Sequence, residues 1–365
     1  MTGAVDACIV FKPIRAIGGL ERYVVELACV LDAPVYTPAA AAELPESIRG
    51  TGPEVIEFGA GSRGHGVLDR LPAGAVTDLL AYEAFEVPDR YDLVLTAGEP
   101  TKAVVHSPHQ RRVHLLNMPP RWLFGPGIGR DEDDPGLLEW PARLYRSLLR
   151  VHDVSTVARI GEFVVPSETV GRRLRTYYDR TADRVIYPPV PVDGFRTGPD
   201  GGYLLHVGRL SPMKRVIELV EALSGTGHRL KIAGTGPEID AVRETAGPNV
   251  EVLGYVSESR KRDLLAACDA FVLNSSHEAF GIAPVEAMAS GNPVVGIDEG
   301  FTSHQVIEGE NGVLFSRGAR NLRNAVERMY RQAWDPDAIR NSAYRYDVSS
   351  FRREWRELVS GVSRE

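Results

Sequence analysis

The stretch Gly208-Arg209-Leu210-Ser211-Pro212-Met213-Lys214 reads as a strand end, a glycine turn and a helix start with a cation on either side of the cap. Ser211 and Pro212 suit the N-cap and first-turn positions of that helix. A helix start presents free N–H groups and a partial positive charge. Arg209, with forked donors, and Lys214, with a point charge, would complete a site for a diphosphate. The same spacing also describes two solvated cations beside a loop. Further on, His277-Glu278-Ala279-Phe280-Gly281-Ile282-Ala283-Pro284-Val285-Glu286 puts Glu278 on a loop, lets Gly281 open a helix and sets Glu286 about one turn into it. Two carboxylates in one crevice would accept hydrogen bonds from a hydroxyl-rich ligand, and the Gly281 and Ile282 amides would face phosphate or sugar oxygens. Taken alone, a solvated Glu278 and a dipole-stabilising Glu286 fit this second stretch as well.

These stretches need a scaffold that gathers strand ends, and the rest of the chain reads as one. Short apolar runs alternate with amphipathic segments from end to end, the pattern of α/β structure with largely parallel sheets. In the first half, residues 6–11, 34–38, 91–98, 112–118 and 162–167 read as strands. Residues 18–31 read as a turn entering a helix, with Val24, Leu27, Val30 and Leu31 at helical spacing. Residues 136–152 read as a helix with Arg143, Arg146 and Arg150 on one side. In the second half YLLHVG (203–208), RLKIAG, VEVLGY, DAFVLN and NPVVGI read as strands, each followed by a helical pattern, which makes a doubly wound domain. The prolines of VIYPPVPVDGF (185–195) favour an extended connection between the halves. The organisation expected is one domain over 1–187 and a second over 188–344. A last amphipathic helix within 345–365, with Phe351, Trp355 and Leu358 on one stripe, would pack back on the first domain. Two facing domains of this kind leave a cleft lined by the carboxyl ends of strands, where such sheets bind ligands.

Together and in this order, the two stretches resemble the retaining glycosyltransferases of the GT-B fold, in the large family 4 that uses nucleotide sugars. The resemblance is clearest over 160–316, in the GR…K motif and in two Glu with seven residues between them. It continues in EAMASGNPVVG (286–296) and ENGVLF (310–315). It implies two facing Rossmann-like domains with an interdomain cleft. It also implies that Arg209 and Lys214 bind the donor diphosphate and neutralise the departing charge. Glu278 would contact the sugar hydroxyls, with the Gly281 and Ile282 amides nearby, and Glu286 would hold the ribose hydroxyls. Gly18-Gly19 followed by Glu21 matches the family's N-terminal loop, which approaches the donor phosphate and the acceptor. GTGPE (234–238) and VLGYV (252–256) match its base-binding wall, though both also read as ordinary strand-to-helix turns. The acceptor-side segment Asn117-Met118-Pro119-Pro120-Arg121-Trp122-Leu123 resembles one usually written His-Thr-Pro-Pro-Arg-Tyr-Leu, with Asn117 where many relatives have histidine. Asn donates and accepts hydrogen bonds but cannot titrate. His114, three residues earlier along a strand, falls on the opposite face, and it and His106 read as ordinary surface histidines. The mechanism implied is front-face attack with retention, the leaving phosphate taking the acceptor's proton, without a protein nucleophile or base. No Asp-x-Asp motif stands out, and Asp131-Glu132-Asp133-Asp134 reads as a solvated loop. No metal, and no cofactor beyond the nucleotide-diphosphate sugar as co-substrate, is expected.

Composition bounds the rest. A chain of 365 residues fits about two domains. Its 43% apolar and 25% charged residues exclude disorder, collagen and coiled coil. A net charge of −7 argues against a dedicated nucleic-acid binder. No signal peptide and no run of about 18 apolar residues appears, which points to a cytoplasmic protein that does not span a membrane. Cys8, Cys29 and Cys268 stand in apolar surroundings and read as free thiols packed in cores, in keeping with a reducing compartment. Lys12, Lys102, Lys214, Lys231 and Lys261 are the only lysines, a bias that reads as the mark of a GC-rich genome. Arg111, Arg112, Arg121, Arg143, Arg146, Arg150, Arg172, Arg173 and Arg175 concentrate in the first domain, beside Trp122, Leu123 and Phe124. A basic face interleaved with apolar residues would rest on anionic lipid and take a lipid-linked glycan; solvated helix faces are the alternative. The expected protein is a hexosyltransferase at the inner face of the cell membrane, moving a hexose from a nucleotide-diphosphate sugar to a growing glycan. The rivals are a sugar-nucleotide-binding non-catalytic subunit, motivated by Asn117, and a nucleotide-sugar epimerase on the same fold. A dinucleotide-dependent dehydrogenase is disfavoured, since no Gly-x-Gly-x-x-Gly follows the first strand.

Overall fold

Strands that are apolar on both faces find a place only inside a sheet covered on both sides. Ala7–Phe11, Leu93–Ala97, Ala270–Leu273 and Val294–Ile297 are of this kind, buried at every residue. The computed structural model describes residues 5–14, 18–40, 52–58, 79–124, 139–199 and 201–361. The acidic run at 131–134, residues 136–138 of the expected helix and the side chains of Arg121 and Trp122 lie outside that description. The chain divides into two units, Met1–Tyr187 with Arg352–Glu365, and Pro188–Phe351.

In the first unit, β1 (Ala7–Phe11), β2 (Val35–Thr37), β3 (Val55–Glu57), β4 (Leu93–Ala97), β5 (Arg111–Leu115), β6 (Glu162–Val165) and β7 (Arg184–Val185) form one sheet. Its order is β3-β2-β1-β4-β5-β6-β7, parallel at each pairing. The helix Gly19–Leu31 buries Tyr23, Val24, Leu27 and Ala28 and stops at Asp32, whose left-handed backbone returns its N–H to Ala28. The last helix, Val348–Ser360, carries a fully buried Trp355. Its indole N–H donates to the Tyr23 hydroxyl at 3.1 Å, and that hydroxyl donates to the Ile186 carbonyl at 3.2 Å. Arg111 donates to the Leu358 carbonyl at 3.1 Å and Arg352 to Glu26 at 2.6 Å. The C-terminal residues thus complete the first unit.

In the second unit, β8 (Leu204–Val207), β9 (Leu230–Ala233), β10 (Val250–Gly254), β11 (Ala270–Leu273), β12 (Val294–Ile297) and β13 (Gly312–Phe315) run parallel in the order β10-β9-β8-β11-β12-β13. Leu219, Val220 and Leu223 of the helix Val216–Leu223 join Leu322, Val326 and Met329 of the helix Ala319–Arg331 over one face of this sheet. Both sheets are doubly wound. Their strand order reverses between β1 and β4 in the first unit and between β8 and β11 in the second, the positions where such sheets receive ligands. One thiol departs from expectation: Cys8 and Cys268 are buried, but Cys29 is exposed, because it falls on the outer side of the Gly19–Leu31 helix.

Every lysine of the chain meets a carboxylate. Lys12 pairs with Glu21, Lys102 with Glu99 and Asp153, Lys214 with Glu278, Lys231 with Glu251, and Lys261 with Glu258 and Glu286. None of these lysine side chains is more than 31% exposed. Lys102 is the deepest, and its Nζ lies 2.5 Å from Asp153 Oδ1 and 2.8 Å from Glu99. The second Asp153 oxygen accepts from the Tyr178 hydroxyl at 2.6 Å, tying the helices Glu139–Val157 and Glu168–Tyr178 together. An ammonium buried this far costs several kcal/mol unless it is paired. The substitution Asp153→Ala is expected to lower the unfolding free energy of the protein by about 3 kcal/mol in urea titrations. A loss under about 1 kcal/mol would mean that Glu99 alone suffices for Lys102.

Candidate functional site

The chemistry expected of the second unit lies at the carboxyl ends of β8, β9, β10 and β11, and backbone hydrogen bonds tie their loops together. Gly208 N–H donates to Ala233 O at 3.0 Å, Leu210 to Thr235 at 2.9 Å, Gly234 to Gly254 at 2.7 Å and Glu238 to Leu210 at 3.2 Å. On the other side, Ser276 N–H donates to Met213 O at 2.9 Å and Phe301 N–H to Glu278 O at 3.1 Å. Such close approach explains the glycines. A Cβ on Gly234 would overlap the Gly208 carbonyl oxygen, and one on Gly236 would overlap that of Leu210. Gly234 also holds a φ of 143°, which only glycine adopts without strain. The stretches 208–214, 234–238 and 252–256 therefore form one wall.

Within this wall the structure brings Lys214 and Glu278 together, Nζ to Oε2 at 2.5 Å, both side chains half-buried. The local backbone explains how. Pro212–Lys214 forms a single 3-10 turn, not the first turn of a longer helix as the sequence suggested, and Arg215 in the left-handed region (φ 50°) separates it from the helix Val216–Leu223. The Arg215 side chain bonds Glu218 at 3.0 Å, and its carbonyl accepts from Asn274 at 3.2 Å. His277, next to Glu278, is also left-handed (φ 54°). Two further non-glycine residues with positive φ, Asp32 and Asp179, cap helix ends, where that conformation is ordinary. Arg215 and His277 instead adjoin the two halves of the ion pair, and strain of this kind collects at functional sites.

Gly281 (φ 85°) opens the helix Ile282–Ala289 as expected of it, and its carbonyl accepts from Gln305 at 3.0 Å. Glu286, on that helix, does not pair with the same cation as Glu278. It is almost fully buried, and its Oε1 lies 2.6 Å from Nζ of Lys261 on the helix Glu258–Ala267, which Glu258 also approaches at 3.0 Å. Sequence reasoning missed Lys261, whose only signal was the scarcity of lysines. Arg209 is exposed at the head of the loop. Beneath the loop lies His206, wholly buried on β8, its Nδ1 3.0 Å from the Val272 carbonyl. Burial pushes this imidazole down to about 4, with the Lys214 ammonium adding to the effect.

In the first unit, Gly18 N–H donates to Glu21 Oε2 at 2.9 Å, and the other oxygen of that carboxylate takes Lys12, at the end of β1. Lys12 in turn packs on Gly98, just past β4. Gly18 and Gly19 are exposed. Asn117 is half-buried beyond β5, in a different loop at the same end of the sheet, and among the described residues it makes no hydrogen bond to Glu21. Arg121 begins the short helix Arg121–Phe124. Two sequence expectations need correction here. His114 is buried, not a surface residue; it bonds Thr96 Oγ1 at 2.8 Å and meets the Phe163 ring edge-on. Burial, helped by Lys102 and Arg112, holds it neutral. Nor do the arginines make one free basic face. Arg111 is bound to Glu162 at 2.6 Å, Arg112 is buried, Arg172 bonds Thr169 at 3.0 Å and Arg173 reaches Met118 at 3.4 Å.

Residues 195–346 match the family described as glycosyl transferases, group 1, a segment that holds the whole wall. The match covers about two fifths of the chain, all within the second unit, and shows what that segment is similar to. A D-inositol 3-phosphate glycosyltransferase of Frankia alni is 27% identical over 362 residues, 86% of each protein. Glycogen synthase of Mycobacterium tuberculosis is 35% identical over 128 residues, and the chain spans only 30% of its length. Among solved structures, the sucrose-phosphate synthase of Thermosynechococcus elongatus superposes with a TM-score of 0.75 at 18% identity, covering 97% of this chain and 98% of that one. Anabaena Alr3699/HepE, in complex with UDP and glucose, does so with a TM-score of 0.70 at 20% identity, covering 98% and 100%. These likenesses establish the GT-B fold for this chain.

The buried imidazole gives a pH test of the wall. Unfolded His206 takes up a proton near pH 6.5, whereas the folded state resists until about pH 4, so acidification through that window favours unfolding. Between pH 7 and 5 this residue is expected to remove about 2 kcal/mol of stability. In urea titrations at the two pH values, His206→Gln should lose less stability than the parent by about that amount. Equal losses would place His206 in a more hydrated environment.

Proposed function

We propose that this chain is a group 1 glycosyltransferase, a retaining hexosyltransferase that uses a nucleotide-diphosphate sugar, and that the second unit binds this donor. The Lys214–Glu278 pair, held between two left-handed residues at the strand-order reversal of the second sheet, carries the reading. An ammonium has three N–H donors. Lys214 can therefore keep Glu278 and still give a hydrogen bond to a phosphate oxygen, with Arg209 supplying a second, forked cation. Glu278 accepts from sugar hydroxyls, and the Gly281 and Ile282 amides lie at a helix start suited to anionic oxygens. Glu286 keeps one oxygen on Lys261, which orients the buried carboxylate, and takes the ribose hydroxyls with the other.

In the reaction, the bond from the anomeric carbon to the diphosphate breaks while the acceptor oxygen bonds that carbon on the same face. The acceptor's proton passes to the departing phosphate oxygen. The protein's part is positioning and stabilisation of charge on the diphosphate, without a protein base, a metal or a further cofactor. In the first unit, Gly18, Gly19 and Glu21 serve the donor phosphate and the acceptor, and Asn117 and Arg121 lie on the acceptor side. The acceptor is a growing glycan on a lipid carrier, on the cytoplasmic side of the membrane. The name of one relative, a GDP-mannose-dependent alpha-(1-6)-phosphatidylinositol dimannoside mannosyltransferase of Mycobacterium tuberculosis, 30% identical over 130 residues, supports such an acceptor. A sugar-nucleotide-binding subunit without transferase activity is the second reading, favoured by Asn117 alone.

Thermal shifts with GDP, UDP and dTDP and their sugars test the donor site without an acceptor. One base family should raise the melting temperature by several degrees, since ligand at about a hundred times its dissociation constant adds roughly 2.7 kcal/mol. Lys214→Met and Glu286→Gln should each weaken that ligand at least about tenfold, a loss of roughly 1.4 kcal/mol. Gln is chosen because Ala would leave a gap in the core and a buried Lys261 with less compensation. Unchanged affinity in both variants would remove the site assignment. Asn117→Ala is expected to reduce sugar transfer while leaving nucleotide affinity within about twofold, roughly 0.4 kcal/mol; if the parent binds donor yet transfers nothing to any glycan, the non-catalytic reading stands instead.

A further inference from the structure

Gly281 opens the helix Ile282–Ala289 on a bare Cα, and two side chains close in on the side where a Cβ would stand. Cγ of Glu278 lies 3.2 Å from that point and Oε1 of Gln305 lies 3.4 Å from it. Gln305 ends the short helix Thr302–Gln305 and is 2% exposed. Its amide nitrogen is used, donating to the Gly281 carbonyl at 3.0 Å, and that bond decides which end of the amide is the oxygen. The oxygen is not used. Oε1 is buried and has no hydrogen-bond partner among the described residues.

A buried acceptor without a donor is uncommon, because it gives up its hydrogen bonds to water for nothing. The surroundings nevertheless hold Gln305 where it is. Phe301 N–H donates to the Glu278 carbonyl at 3.1 Å, and Asn311 Nδ2 donates to the Gln305 carbonyl at 3.1 Å. A Cβ on Gly300 would come within 2.7 Å of the Glu278 backbone, so the two loops pack main chain on main chain. The amide cannot turn its oxygen elsewhere without losing the bond to Gly281.

Two kinds of polar group therefore meet beside Gly281. The helix start offers N–H donors, and Gln305 offers a lone pair. An ionised phosphate oxygen suits the donors but has no hydrogen for Oε1. A hydroxyl suits both, since it accepts from an amide and donates to a carbonyl oxygen. We propose that Gln305 is a specificity-determining residue, its Oε1 accepting a hydrogen bond from one hydroxyl of the transferred hexose, so that a sugar without that hydroxyl is rejected. The inference rests on the donor reading above and narrows it. The start of the helix Ile282–Ala289 takes sugar, and the diphosphate is left to Arg209 and Lys214. Glu278, whose stem flanks the same Cα, takes a neighbouring hydroxyl.

The test is isothermal titration of the full chain with UDP and UDP-glucose, GDP and GDP-mannose, and dTDP and dTDP-glucose, continued with the pair whose base the parent binds. Gln305→Met is close in size and removes both polar atoms. It should leave the bare nucleotide diphosphate within about twofold and weaken the sugar nucleotide at least about tenfold. Gln305→Glu keeps an acceptor oxygen and should weaken it less than about threefold. A role confined to holding Gly281 predicts a full loss there as well, because a carboxylate cannot donate to that carbonyl. The parent should lose about tenfold toward one of the 2-, 3-, 4- or 6-deoxy forms of the same sugar nucleotide, and Gln305→Met should lose nothing further toward that form. Losses that add at every position would overturn the proposal. So would a parent indifferent to all four deoxy forms, a result that needs no variant to fold. A parent that binds none of the nucleotides would overturn the donor reading and this inference with it, whereas additive losses on a bound donor overturn the inference alone.

Discussion

A parallel sheet buried on both faces leaves its chain one place to do chemistry, the loops beyond the strand ends. That constraint governs both units. Where strand order reverses, neighbouring loops diverge and a ligand can approach the backbone between them. In the second unit the loops after β8 and β11 flank the reversal, and the loops after β9 and β10 close the wall beside them. The glycines Gly234 and Gly236 let these loops touch, backbone on backbone. Rigidity there has a use: a phosphate held by amides and cations needs donors that do not reorganise as charge develops.

Desolvation sets the second level of organisation. An ammonium taken from water brings a carboxylate with it or loses its charge. The pairs differ in depth, and depth separates their roles. Lys102 with Asp153 and Glu99 is sunk between helices and serves the fold. Lys214 with Glu278 is half-buried at a loop, where an incoming anion can share the cation without the whole cost of uncovering it. Lys261 with Glu286 lies between, a buried pair that joins the helices Glu258–Ala267 and Ile282–Ala289.

Much of this was legible in the sequence. The alternation of strands and helices gave the two doubly wound sheets, since continuous apolar runs between amphipathic segments have few other solutions. The local order around Gly208–Lys214 and Glu278–Glu286 showed where strands end and helices begin. What failed did so where a residue's surroundings come from distant segments. His114 alternates away from Asn117 as a strand residue should, but alternation implies exposure only when one sheet face is open, and here neither is. Cys29 sits in an apolar run, yet the helix phase turns it outward. Glu286 and Lys261 are 25 residues apart on separate helices, and no spacing rule links them. The arginines looked like one surface because sequence shows charge without showing partners; Arg111 and Arg112 are spent on the sheet's own edges and interior.

The scarcity of lysine bears on how the protein can be handled. Amine-directed acylating agents and cross-linkers need an accessible amine, and every lysine here is at least two-thirds covered and lies against a carboxylate. Mild acylation would be slow, and the first lysines it reached would be Lys12 and Lys214, the two most exposed, each at a strand-end loop. Random amine labelling of this chain is therefore far from random: it would report on, and damage, those loops before it marked the surface.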